Sequence, residues 1–345
     1  MALPKAKVPK TIGVLLINTG TPEAPTYFGV RRYLRQFLSD ARVLDMPRFS
    51  RFLLLHFLIL PLRSARSAQA YRKIWTSQGS PLRTHTLAFR ERLQHVLGET
   101  YKVVYAMRYG QPSIASAWQE LKDCTELVIF PLYPHYAASS TASALAEAMR
   151  VVSRDWNVPI TRVIAPFFQD PGFLSAFAER IQNAAHTQKW EHLVFSFHGL
   201  PQHHIQKSGC AGSCAKHSCT VEARTSLCYR AQCFATVREL VQLLQIQAGD
   251  YSVGFQSRLG SRPWIKPYFD ELLVELRQKG IQRLAVVCPS FVADCLETLE
   301  EIRIRARATW QALGGEELLL IPCLNEAELW VQAAGRMVRQ SSAED

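Results

Sequence analysis

The chain has 345 residues, enough for two domains of ordinary size, and its hydrophobic fraction of 48% excludes a disordered or low-complexity protein. Lys and Arg number 40 against 29 Asp and Glu, a formal charge of +11 that favours an anionic partner such as a carboxylate-bearing ligand or an anionic membrane surface. Nucleic acid is set aside, because the basic residues are dispersed rather than gathered in a stripe and no nucleic-acid signature occurs.

Residues 1–10 are polar and basic and lack the apolar run and small-residue cleavage site of a secretory signal, so a cytoplasmic location is expected. Eight short, β-branched-rich apolar runs follow, at 11–17, 101–107, 126–131, 160–165, 192–197, 251–256, 283–288 and 317–322. Stretches with helical spacing lie between most of them, as at 86–97, 171–185 and 267–279. Strands alternating with helices predict an α/β fold of two Rossmann-like lobes, each with a four-stranded parallel sheet flanked by helices. The expected division is a first lobe over 1–166, a second over 167–324, and a C-terminal helix and tail over 325–345. The crossover 169–188 would join the lobes, and a helix over 325–339 would pack back on the first.

The first strand ends in Asn18-Thr19-Gly20-Thr21-Pro22, which has one glycine instead of the G-x-G-x-x-G of a dinucleotide fold, and no P-loop occurs. The ligand is therefore something other than a nucleotide. The apolar segment 52–62 is too short to cross a bilayer, which needs roughly 20 residues. Its pattern reads as a buried helix, or as an apolar lip touching a membrane surface, with Arg63 and Arg66 behind it.

Strand ends carry the chemistry. His198 stands directly after the fifth run and is followed at once by Gly199-Leu200-Pro201, the position at which α/β proteins bind ligands. An imidazole there can take a proton or hold a metal without strong tuning. Arg108 and Tyr109 follow the second run. Tyr133 follows the third, ahead of the small-hydroxyl stretch 139–143, which suits a helix start and anion contact. After the seventh run, Asp294, Glu297 and Glu301 are spaced i, i+3, i+7 and would share one face of a helix. Taken singly, the His could satisfy a backbone group and the carboxylates could be caps. Taken together, a His and a Glu at one cleft make an acid–base pair or a two-ligand metal site with open positions.

In order and spacing, several segments resemble ferrochelatase, the terminal enzyme of heme synthesis, over nearly the whole chain. They are 13–22, 30–40, 71–75 with 79–82, 107–109, 131–134, 196–201, 255–258 with Pro263-Trp264, and 291–299. The resemblance implies a porphyrin cleft between the lobes. It implies that His198 and Glu297 form the central pair, binding substrate Fe2+ and accepting pyrrole protons. It places Arg108, Tyr109, Tyr133, Trp264 and Phe291 around the macrocycle, and Asp294 and Glu301 on a polar path beyond Glu297. Two positions depart from some members of the family: Cys295 stands where they have His, and Arg305 where they extend the acidic row. The expected reaction is insertion of Fe2+ into protoporphyrin IX with release of two protons. Coproporphyrin as substrate, and a non-catalytic porphyrin- or heme-binding iron or redox sensor, are the alternatives.

Five of the nine cysteines fall between residues 210 and 233, which in a chain without a signal peptide points to ligation rather than disulfides. Tyr229, Cys233 and Thr236 fit the family pattern, and the insertion before them brings Cys210, Cys214, Cys219 and Cys228. Some ferrochelatases carry a [2Fe–2S] cluster, and the insertion over 207–228 resembles an internal form of that site. Four thiolates suffice for such a cluster, with Cys233 or His217 as substitute ligands. Zinc or free thiols are the other readings, though the spacing matches no common zinc motif.

Overall fold

The computed structural model describes residues 11–210, 227–258 and 262–342. Eight strands form two sheets: β1 (Ile12–Gly20), β2 (Tyr101–Tyr109), β3 (Glu126–Pro131) and β4 (Ile160–Val163) in the order β2-β1-β3-β4, then β5 (His192–His198), β6 (Tyr251–Gln256), β7 (Arg283–Val287) and β8 (Glu317–Leu320) in the order β6-β5-β7-β8. Every pairing is parallel, and the two strand orders are the same pattern used twice. The central strands read as unbroken apolar runs because helices cover both faces of each sheet: Val14–Ile17 and Leu193–Phe197 are fully buried. Edge strand β4 is half exposed and pairs over only four positions.

One apolar core runs beneath both sheets. It joins Val14, Leu16 and Phe130 to Phe195, Phe197 and Phe255 through helices Pro171–Thr187 and Tyr229–Leu244. The C-terminal helix Glu328–Ser341 seals it: Trp330 stacks on Phe89 of helix Pro81–Leu97 at 5.4 Å and on Phe167 at 5.3 Å. Arg336 of this helix grips Asp170, the N-cap of helix Pro171–Thr187, at 2.6 Å. The outer faces of the sheets carry separate cores, built on Trp118 and on Trp310.

The reading of 52–62 as a buried helix fails. The segment is helical throughout, running through Arg48–Leu53, a π-helical stretch Leu54–Ile59 and Leu60–Ile74. Only Leu55 and Leu60 are buried, whereas Phe57 is 74% and Leu62 67% exposed. An apolar run without periodicity cannot say which residues face inward, and here two anchors suffice to seat the segment on Leu38.

Candidate active site

The cleft opens where the C-terminal ends of β1, β3 and β5 meet the turn after β7. About 1010 Å³ of space, open solvent included, lies between its walls. Asn18, Thr19 and Gly20 line it from β1, Leu132 and Tyr133 from the end of β3, His198 and Leu200 from β5, and Ser290–Ala293 from the turn. Tyr33, Phe37 and Tyr71 form an aromatic wall, and Phe291 and Tyr229 stand on the second lobe's side.

Local sequence builds each corner. Gly20 has φ +110°, and a Cβ there would lie 1.8 Å from the Tyr109 carbonyl oxygen, so only glycine lets β1 end against β2. Gly199 donates its N–H to Gln256 O at 2.8 Å, and a Cβ on it would meet that oxygen at 2.8 Å and the Trp264 ring at 3.1 Å. The His198 backbone N–H donates to Ser290 Oγ at 3.3 Å, tying the β5 end to the β7 turn. His198 Nδ1 lies 2.6 Å from Gly199 O. A carbonyl can only accept, so Nδ1 carries the proton and Nε2 keeps a free lone pair.

Glu297 sits in the single turn Leu296–Thr298 and lines the same cleft as His198. Glu301 lies behind it, accepting from Ser257 Oγ at 2.5 Å and Gln256 Nε2 at 3.3 Å, with Arg305 3.4 Å away. Burial, and then the negative charge of Glu297, push the Glu301 carboxyl above its usual range. Burial raises the Tyr33 and Tyr71 hydroxyls well above the usual phenol range, helped by Tyr71 and then Glu297 at Tyr33 and by Glu297 at Tyr71.

The shared acidic face does not form. Asp294 precedes the helix, and a π-helical segment, Leu299–Ala306, sets the register beyond it. Both Asp294 oxygens are occupied inside the protein, Oδ1 by Thr298 at 2.9 Å and Oδ2 by Asn325 at 2.8 Å, and the residue borders a neighbouring cleft with Lys73, His85 and Arg303. Of the other residues expected around the ligand, Tyr133 and Phe291 line the cleft, and Arg108, Tyr109 and Trp264 stand behind its walls. The Arg108 guanidinium is committed to Asp40 at 2.9 Å and Ser143 Oγ at 2.8 Å, and Trp264 packs on Gly199. Sequence reasoning assigned no role to Tyr33, Phe37 or Tyr71. Tyr33 and Phe37 share a face of the amphipathic helix Tyr27–Ser39, which was the available signal.

With this geometry in place, a family model for ferrochelatase matches residues 11–342. The chain belongs to the ferrochelatase family. It is 45% identical to the ferrochelatase of Legionella pneumophila (strain Corby) over 328 residues, 95% of this chain and 98% of that one. It is 47% identical to that of Coxiella burnetii (strain Dugway 5J108-111) over 335 residues, 96% and 94% of the two chains. In fold alone it is similar to SirB from Bacillus subtilis with Fe3+, at TM-score 0.53 and 15% identity over 96% of each chain. The protein is accordingly an enzyme, a ferrochelatase that inserts Fe2+ into a porphyrin for heme synthesis.

None of the seven described cysteines is in a disulfide. Cys210 is half-buried against the central core, and Cys228 is buried as the N-cap of helix Tyr229–Leu244. Cys233 is buried inside that helix, where burial pushes its thiol well up. Cys214, Cys219 and His217 lie outside the described residues.

Proposed function

We propose that the porphyrin is protoporphyrin IX, and that His198 and Glu297 perform the insertion. One observation carries the choice of porphyrin: among the described residues the cleft lining contains no Lys or Arg, and its walls are largely aromatic and aliphatic. Protoporphyrin carries two propionates, which can point out of such a cleft. Coproporphyrin carries four, and would bury at least some of them without a cation. Insertion replaces two pyrrole N–H protons by Fe2+. The free Nε2 of His198 accepts a proton from the ring, and Glu297 offers a carboxylate to the metal as it sheds water. Glu301, beyond Glu297, takes the next position on the route for protons, with Asp294 serving to brace the turn. Tyr33, Phe37, Tyr71, Tyr133 and Phe291 hold the flat ring by its faces and edges.

Steady-state kinetics with both porphyrins under anaerobic conditions test this. Protoporphyrin IX should show at least tenfold higher kcat/KM, and a preference for coproporphyrin would overturn the assignment. His198→Ala should lose about a hundredfold or more in turnover while keeping porphyrin affinity. Loss of affinity with turnover intact would remove His198 from the chemistry.

Two further readings concern what lies around the cleft. The exposed Phe49, Phe52, Phe57, Leu58 and Leu62, flanked by Arg48, Arg51, Arg63 and Arg66, suit peripheral contact with an anionic membrane on the cytoplasmic face. No helix among the described residues is long and apolar enough to cross a membrane. Cys210 and Cys228 bracket the insertion, and Cys228 at a helix N-terminus suits a thiolate, so with Cys214 and Cys219 they would hold a [2Fe–2S] cluster. Such a cluster would supply a one-electron redox centre joined to the core. Cys233, a buried protonated thiol, is the poorer ligand.

A further inference from the structure

We infer that the chain holds a second divalent-metal site, separate from the cleft, formed by Asp45, His203 and His204. Asp45 belongs to the first lobe, three residues ahead of the helix Arg48–Leu53. The two imidazoles stand on helix Gln202–Lys207 of the second. One ligand atom from each residue lies within 4.8 Å of the others. Ligands of a tetrahedral ion at about 2.1 Å stand roughly 3.4 Å apart, so side-chain rotations that draw these atoms together by up to about 1.4 Å would close the site.

Three observations point to an ion rather than to ordinary packing. His203 Nε2 and His204 Nδ1 are buried and have no hydrogen-bond partner among the described residues. Buried ring nitrogens are normally satisfied. His203 Nε2 is 3.4 Å from Asp45 Oδ2, close enough to share an ion but too poorly aligned to bond. The rings of His203 and His204 meet at 4.5 Å and 78°, which turns them about one common region.

Two imidazoles and one carboxylate suit a borderline divalent transition ion such as Zn2+, Co2+ or Fe2+, with water in the remaining positions. Lys207 competes for the same carboxylate, its Nζ 2.5 Å from Asp45 Oδ2. That lysine side chain is 67% exposed, so its ion pair is weak and readily displaced. The ion would therefore link the lobes three residues beyond Leu200, which lines the porphyrin cleft.

Co2+ binding to the full chain, counted by equilibrium dialysis and followed by ligand-field absorption, tests the site. Asp45→Asn and His203→Gln should each lose one equivalent or weaken it more than tenfold, whereas His198→Ala should retain it. Lys207→Gln removes the competing cation and should tighten that equivalent by up to about fivefold, an effect a merely structural ion pair would not produce. Circular dichroism confirms that each variant is folded. Unchanged Co2+ stoichiometry and affinity in folded Asp45→Asn and His203→Gln would overturn the assignment, as would Lys207→Gln leaving the affinity where it was.

Discussion

Replacing Asp40 by Asn keeps the shape of the side chain and removes the charge on which the wall behind the cleft is hung. Asp40 Oδ2 accepts from Arg108 Nη2 and Tyr109 Oη, each at 2.9 Å, and from Ser143 Oγ at 2.5 Å, while Oδ1 takes the Arg42 N–H at 2.8 Å. An Asn oxygen can keep the Arg42 bond, but its NH2 group then faces three donors. Removing one partner of a buried pair costs about 3–5 kcal/mol, and Arg108 keeps its bonds to Ser143, so a loss of about 3 kcal/mol is expected. With a urea slope of about 3 kcal/mol/M, the midpoint falls by about 1 M. Burial pushes the Asp40 carboxyl up, but bonds from Ser143, Arg42 and Tyr109 and the Arg108 charge outweigh it and leave the pKa lowered. The stability it contributes is therefore fully present above the ordinary carboxylate range near pH 4 and is lost as pH falls through the lower folded value. Phe37 packs on Tyr109 at 5.1 Å and lines the cleft, so KM for porphyrin should rise more than kcat falls. A midpoint shift below about 0.2 M at pH 7, or a gap that widens as pH falls below 4, would refute this account.

Glycine positions give a contrast in kind. Gly20→Ala meets the Tyr109 carbonyl and should cost at least about 3 kcal/mol, whereas Gly98→Ala, at φ +77° with nothing within 4 Å, should cost about 1–2 kcal/mol; equal shifts in thermal unfolding would contradict the packing at β1. Ser257→Ala removes a hydrogen bond that lowers the Glu301 pKa, so the carboxyl should titrate still higher and the acid limb of the kcat/KM profile should move to higher pH; a shift to lower pH would argue against Glu301 as a proton acceptor. Phe57→Ser with Leu62→Ser should weaken sedimentation with anionic vesicles severalfold and leave urea unfolding unchanged, since both side chains face outward; undiminished sedimentation would free the lip of that role.

The strands were legible because parallel strands covered on both faces leave unbroken apolar runs. β3 and β6 begin and end where their runs do, at Glu126–Pro131 and Tyr251–Gln256. β1 and β2 extend two or three residues past their runs, since Asn18–Gly20 and Arg108–Tyr109 keep the ladder although they are polar or charged. Those extra residues carry the site, so apolarity alone understates it. His198 and Glu297 were legible as a pair through topology, because a strand end and the following crossover turn face one cleft. Asp294 was not, because an i, i+3, i+7 face assumes an uninterrupted α-helix, and nothing in Leu299–Ala306 announces a π-helical register. The buried-helix reading of 52–62 failed for a related reason: eleven residues with one polar side chain, His56, have no period to read.

The arrangement around Glu297 bears on how protons would leave. Glu301 is pushed up by burial and by the Glu297 charge, so it holds a proton more readily than an exposed carboxyl does. His198 differs in kind. Its Nδ1 proton is held by a carbonyl that cannot exchange it, so only Nε2 can turn over. A base that acts through one nitrogen must be reset after each acceptance, and a proton passed to Glu301 must leave before that carboxyl can take the next. On the proposed reading, the outlet from Glu301 toward Ser257 and Arg305 then governs recovery between turnovers. Variants of Arg305 should accordingly change kcat at low pH, where Glu301 is most protonated, more than at high pH. An Arg305→Gln profile parallel to wild type across pH 5–9 would place the outlet elsewhere.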